Sequence, residues 1–190
     1  MSGEEEPSAL MRRYCEGDAA AFNALYASLA PRLLGYLIGL IGEKATAEDL
    51  LQQTFIKLHE ARSVYVRGAD PVPWLYTIAH RTCLDELRRR KRARVRVTHE
   101  GEVVAEPRAD LLGHAEGERS EEGDALSAVT RAALDQLPHN QREALVLTKV
   151  QGRSLREAAA ITGSTPGAIK LRAHRAYVTL RALLSQRSEP

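Results

Sequence analysis

The sequence predicts an all-α fold, two small helical domains joined by a flexible acidic linker, and three observations carry that prediction. Aromatic residues make up only 5% of the 190 residues, so the core must be built from Leu, Ala, Ile and Val, a composition that suits helices better than sheets. Apolar residues recur at helical spacing between turn signals. Charge is segregated beneath a net +2: residues 62 to 98 hold 10 basic and 3 acidic side chains, residues 99 to 124 hold 2 and 9, and residues 125 to 190 hold 10 and 4. Two basic blocks separated by an acidic one read as two polyanion-facing modules on a solvated tether. A charge run is also what a solvated face looks like, so the motifs decide.

Several classes fall away early. Met1 leads straight into Glu4, Glu5 and Glu6, without the basic start and apolar stretch of a secretory leader. The mostly apolar stretch Leu33 to Ile41 falls short of the roughly 20 residues that span a bilayer. No direct membrane insertion and a cytoplasmic location are expected. Cys15 and Cys83 stand apart, with no C-x-x-C pair or His at ligand spacing, so no metal site, cofactor or disulfide framework is expected.

Taken in order, Asp18 begins a helix rich in Ala and Leu that meets Pro31, where a bend or break is expected, and continues to Gly42. Thr46 or Ala47 starts the next. There Leu51, Phe55 and Leu58 form an inward stripe and Asp49, Gln52, Gln53, Ile56 and Lys57 are left outside, a polar face with an exposed Ile that suits docking of another protein. A turn-prone stretch, Ser63 to Pro73, leads into a helix opening at Trp74. Leu75, Ala79, Cys83 and Leu87 recur every four residues and face the core, so Cys83 reads as a small buried hydrophobe. Arg81, Arg88 and Arg92 share the outer face with Thr77 and Trp74, a basic helix with an aromatic at its start, suited to phosphates and unstacked bases.

From Val97 to Asp124, four glycines, Pro107 and nine acids without a sustained helical period mark the tether. Beyond it, Leu126, Val129, Ala133 and Leu137 have helical spacing up to Pro138. Asn140 with Glu143 resembles a capping pair for a second helix, which Gly152 closes. Ser154-Leu155-Arg156-Glu157 is a capping box, and Leu155, Ala158, Ala159 and Ile161 give the third helix a short apolar face up to Gly163. Thr165 caps a fourth, with Pro166 in its first turn. Small Ala159, Gly163 four residues on and Ile169 six beyond are helix-turn-helix spacing. Ile169, Ala173, Ala176 and Leu180 point inward; Lys170, Leu171, His174 and Arg175 lie opposite, placed to enter a major groove.

This order of parts resembles the extracytoplasmic-function (ECF) sigma factors, small bacterial transcription initiation factors. Three stretches carry the resemblance: Ala47 to Phe55 (AEDLLQQTF), Trp74 to Ala79 (WLYTIA) followed by Asp85 and the Arg run, and Leu137-Pro138 through Gln141-Arg142-Glu143 to the helix-turn-helix ending at Ala176. The resemblance implies a region 2 helical bundle over 8–96, the linker over 97–124 and a region 4 helix-turn-helix over 125–187. It implies core RNA polymerase, promoter DNA and an anti-sigma factor as partners. By that similarity Asp49, Gln52, Gln53, Ile56 and Lys57 would hold core polymerase. The loop with Tyr65 and Arg67, together with Trp74, Thr77, Arg81, Arg88 and Arg92, would capture and steer the melted −10 strand. Arg153, Ser154, Thr165, Lys170, Leu171, His174 and Arg175 would serve the −35 duplex, and the linker would thread toward the polymerase's active-site and RNA-exit channels.

Two other readings compete. An ordinary helix-turn-helix regulator that does not bind core polymerase would account for the C-terminal half, but it leaves the docking face and the Trp74 to Arg92 helix without a purpose. An enzyme is disfavoured: His80, Cys83 and Asp85 are near in sequence, but Cys83 and Asp85 point apart on a helix, and no phosphate-binding glycine motif appears. No catalytic residues are expected.

Overall fold

A computed structural model describes residues 5–98 and 132–186, and among them all regular structure is helical. Helix α1 (Pro7–Cys15) opens with Pro7 in its first turn, where a missing N–H costs nothing, and buries Leu10, Met11 and Tyr14. No element is predicted here by the sequence analysis above, although the spacing of those three residues is helical. Asp18 caps α2 (Ala19–Ile41), its carboxylate accepting the Ala20 and Ala21 N–H groups, and left-handed Gly42 closes it.

Contrary to expectation, α2 runs uninterrupted through Pro31. The proline is exposed while Ala30, Leu29 and Leu33 are buried on either side, so core packing holds both halves in line. At 23 residues, α2 is also long and apolar enough to cross a membrane on length and composition alone, unlike the shorter stretch read from sequence. Its Leu25, Leu29, Leu33 and Leu37 are instead spent in the core.

Helix α3 (Lys44–Ala61) starts two residues earlier than expected and buries Ala47, Leu50, Leu51, Thr54, Phe55 and Leu58. After a 3₁₀ turn (Arg62–Val64) and a loop, α4 (Pro71–Thr98) begins three residues before Trp74. Asp70 starts it by accepting the Val72 N–H, and prolines 71 and 73 fall in the first turn, which tolerates them. Leu75, Ala79 and Cys83 are buried as the period predicted, with Leu87 partly so; Tyr76 and His80 are buried as well. The backbone of α4 continues to Thr98, past the start of the predicted linker. From residue 99 that linker, with Leu126 and Val129, lies outside the described residues.

The chain resumes with a helical turn at 132–135, followed by α5 (His139–Leu145), which continues as a π-helical turn (Val146–Val150). The predicted Asn140–Glu143 capping pair does not form: Pro138 is the N-cap and Glu143 is buried, turned toward α4. Gly152 has the expected positive φ of 64°. Helix α6 (Leu155–Thr162) carries the complete capping box of Ser154 and Glu157, and left-handed Gly163 ends it. Leu155 is exposed rather than part of the apolar face, which Ala158, Ala159 and Ile161 supply. Thr165 caps α7 (Pro166–Gln186) through the Ala168 N–H, and Ile169 and Ala176 are fully buried.

The two predicted helical units are both present, and they are docked on one another. One apolar cluster runs from Leu10 through the α1–α4 bundle and on into Ala144, Val146, Leu147, Ala158, Ala159, Ile161 and Ile169. A smaller one, Leu137, Leu145 and Ala176, holds α5 and the residue before its cap to α7.

Candidate protein- and nucleic-acid-binding surfaces

The outer face of α3 is formed as the inward stripe dictates. With Phe55 and Leu58 in the core, Asp49, Gln52, Gln53, Ile56 and Lys57 are all exposed, Ile56 to 57%. A branched apolar side chain this open, ringed by polar groups, is a ready anchor for another protein. Lys57 is steered by a hydrogen bond from its ammonium to Thr82 Oγ1 at 3.1 Å.

The start of α4 and the loop before it build a second surface. Tyr65 and Trp74 pair with ring centroids 5.6 Å apart and planes tilted by 33°, and the Tyr65 hydroxyl donates to the Ala69 carbonyl, closing the loop on itself. Beside them is a hollow of about 340 Å³ lined by Cys15, Glu60, Arg62, Ser63, Tyr65 and Arg67, at the lower end of ligand-pocket size. Val64 and Val66 project at its rim, 73% and 72% exposed. Sequence reasoning selected Tyr65 and Arg67 here but not Cys15, Glu60, Arg62 or the two valines. An exposed aliphatic pair within a turn-prone stretch was the available signal for the valines; Cys15 is supplied by α1, which the reading did not assign. Thr77 spends its hydroxyl on the Pro73 carbonyl at 2.9 Å.

The arginines of α4 divide by task. Arg90 reaches Glu86 at 2.8 Å, Glu43 at 2.8 Å and Thr46, clamping α4 to the start of α3, while Arg89 pairs with Glu86 at 2.7 Å. Arg89 first, with burial opposing and Arg90 assisting, holds the Glu86 carboxyl below its ordinary range. Arg81, Arg88 and Arg92 remain on the exposed side, Arg88 with a loose partner in Asp85 at 3.3 Å.

On α7, Lys170, Leu171, His174 and Arg175 are exposed on the face opposite buried Ile169 and Ala176. Ser154 and Thr165 are exposed too, each engaged as a helix cap. Arg153 is placed differently from the rest of its predicted group. It turns inward to Glu157 at 3.1 Å and over the Tyr76 ring at 5.2 Å, with 11% of its side chain exposed. Among the described residues no cluster of His, Cys, Asp and Glu could hold a metal ion.

Residues 25–93 match the family Sigma-70 region 2, and residues 128–180 match Sigma-70, region 4. The chain is 39% identical to the RNA polymerase sigma factor CarQ of Myxococcus xanthus, over 93% of this chain and 96% of that protein. It is 33% identical to the ECF RNA polymerase sigma factor SigF of Caulobacter vibrioides, over 93% of each. Among solved structures it is similar to the sigma factor RpoE of Bartonella quintana in complex with the anti-sigma factor NepR, with a TM-score of 0.68 and 27% identity over 89% of this chain and 98% of that one. The fold is likewise that of CnrH in complex with the cytosolic domain of CnrY, with a TM-score of 0.70 and 23% identity over 97% and 100%. The surfaces built by α3, α4 and α7 are thus those of two sigma-70 regions in their usual order, and the chain belongs to the ECF RNA polymerase sigma factors.

Proposed function

We propose that this sigma factor divides promoter recognition between its two basic surfaces and holds core polymerase with a third. The outer face of α3 (Asp49, Gln52, Gln53, Ile56, Lys57) docks core RNA polymerase, with Ile56 as its apolar anchor. Single-stranded −10 DNA runs over Trp74, Thr77, Arg81, Arg88 and Arg92, and one extruded base enters the hollow beside Tyr65 and Arg67. The exposed face of α7 lies in the −35 duplex with Lys170, Leu171, His174 and Arg175, while Ser154 and Thr165 offer their hydroxyls to phosphates. Polymerase performs the chemistry and this chain performs none.

The observation that carries the reading is the hollow beside the tilted Tyr65–Trp74 ring pair, with two arginines in its lining. Melting requires a receptacle for an unstacked base and a cationic track for its strand, whereas duplex reading requires only a helix in a groove. Control by an anti-sigma factor is supported by the likeness to RpoE bound to NepR; the proposed place of action is the cytoplasm, where a bacterial polymerase meets its promoters, with membrane retention only through such an inhibitor.

The test adds the purified chain to bacterial core polymerase and genomic fragments. A stable complex with discrete transcripts is expected, and Ile56→Asp should abolish the complex while leaving −35 duplex binding intact. Duplex binding by the wild type without any polymerase complex would overturn the reading in favour of a regulator.

A further inference from the structure

Two side chains in the loop between α3 and α4 have no task in the function proposed above. Val64 and Val66 are more exposed than any other large apolar residue among the described ones, at 73% and 72%. Neither covers any part of the core, so nothing in the fold accounts for apolar groups at these positions.

The backbone that carries them is braced on both sides. The Arg62 carbonyl accepts the Tyr65 N–H at 3.3 Å, closing the 3₁₀ turn, and the Cys15 thiol of α1 at 3.6 Å. The Ala69 N–H returns to the Val66 carbonyl at 3.1 Å across a reverse turn. Gly68, the third residue of that turn, has a φ of 84°, the sign that a type II turn requires there. The Ala69 carbonyl accepts the Tyr65 hydroxyl in turn. Between the valines Tyr65 is extended, with φ −66° and ψ 129°, and its ring lies against Trp74. Neighbours in an extended segment leave on opposite sides, and the hollow shows the same alternation. Arg62, Ser63, Tyr65 and Arg67 line it, whereas Val64 and Val66 stand outside it at the rim.

Apolar tips on a braced loop are prepared for insertion. Valine is branched at Cβ and has a single, restricted χ1, so it loses little freedom when it is enclosed. Arg62 and Arg67 flank the pair and are exposed. An occupant that suits this arrangement presents an apolar face with negative charge close by on either side, which is what a base offers on its phosphate backbone. When one base leaves the stack for the hollow, its neighbour loses a stacking partner. An aliphatic side chain at the rim is placed to take that partner's position, as apolar wedges do between base steps of kinked duplexes.

We propose that Val64 and Val66 form a wedge that enters the base stack at the edge of the melting −10 element and covers the face bared when the neighbouring base is extruded into the hollow. The wedge acts on the opening of duplex DNA, and a strand already separated has no need of it. This inference rests on the reading of the hollow as the receptacle for an extruded base.

The test uses holoenzyme, formed from the purified chain and bacterial core polymerase, on a promoter recovered from the genomic fragments that it transcribes. Val64→Ser with Val66→Ser removes the apolar tips at exposed positions and should leave the thermal melt within about 2 °C. On the intact duplex, 2-aminopurine fluorescence in the −10 element should show opening slowed at least about tenfold, since that takes only part of the cost of unstacking a base step. On the same promoter mismatched across the −10 element, where the strands are already apart, initiation should stay within about twofold of the wild type. Val64→Ile with Val66→Ile keeps the branched apolar shape and should open the duplex as the wild type does. Equal loss on both templates would assign the valines to polymerase docking or to holding the captured base, and undisturbed opening of the duplex would leave them without a part in melting; either result overturns the wedge. Failure of the wild type to initiate on either template would instead defeat the promoter reading on which the wedge rests.

Discussion

The exposed cations of α7 give a quantitative prediction. Lys170 and Arg175 lie on its solvent side, and neither has an ion-pair partner among the described residues, so each can neutralise a phosphate without first losing a carboxylate. Each phosphate contact contributes about −0.9 to the slope of log affinity against log salt on duplex DNA. Between 50 and 200 mM salt one such contact is worth about 3.5-fold in affinity, and two about 12-fold. Lys170→Ala with Arg175→Ala should therefore flatten the slope by about 1.8, measured by fluorescence anisotropy on a −35 duplex. A residue that instead reads a base edge would leave the slope unchanged, cost about 1–3 kcal/mol and relax the sequence preference at one position. Arg81→Ala and Arg88→Ala should leave this slope alone and slow promoter opening, because they stand on α4. A wild-type slope in the double α7 variant, or equal loss at duplex binding and opening for every variant, would refute the assignment of separate tasks to the two helices.

Two further outcomes follow from the local geometry. Ser154→Ala deletes the hydroxyl that accepts the Glu157 N–H, and should cost about 1 kcal/mol, or about 2–4 °C in a thermal melt, with Ser154→Asp retaining most of the stability. Burial, assisted by the Glu143 carboxylate, pushes the Cys83 thiol up to about 12, so its reactive thiolate is scarce below that pH; at pH 8 iodoacetamide should label the half-buried Cys15 at least about a hundredfold faster, as mass spectrometry of partially labelled protein would show.

What the sequence made legible was whatever local physics dictates. The capping box at Ser154, the glycine stop at Gly163 and the Ile169 plug are set by residues within one or two turns, and each stands where its pattern predicts. The outward faces of α3 and α7 were legible for the same reason, since the inward stripe of a helix determines its exposed one. Pro31 was misjudged because a local penalty was weighed without the packing on either side that absorbs it. Glu143 was misjudged as a cap because its partner, His80, lies 63 positions earlier in the chain. Arg153 followed the same course, drawn from its expected DNA-facing position to the Tyr76 ring of the other unit.

Contacts between the units were illegible because their residue types are those of ordinary surfaces. Gln151, Arg142, His80 and Tyr76 would each pass for a solvated side chain in a helical pattern, and only docking gives them partners. The same ambiguity governs the arginine run of α4, which composition reads as one basic patch. Arg90 spends its charge on Glu43 and Glu86 and fastens α4 to the start of α3, while Arg89 shares Glu86 within its own helix, so two of the run's cations are already paired. The charge left on the outer face is set by which cations the bundle's carboxylates do not hold, Arg88 keeping only a loose partner in Asp85, and that is a property of the fold. Arg81, Arg88 and Arg92 recur at spacings of seven and four, on one face of α4 that also carries Trp74 and Thr77, and on the proposed reading this alignment is what would turn a basic segment into a track for a single strand.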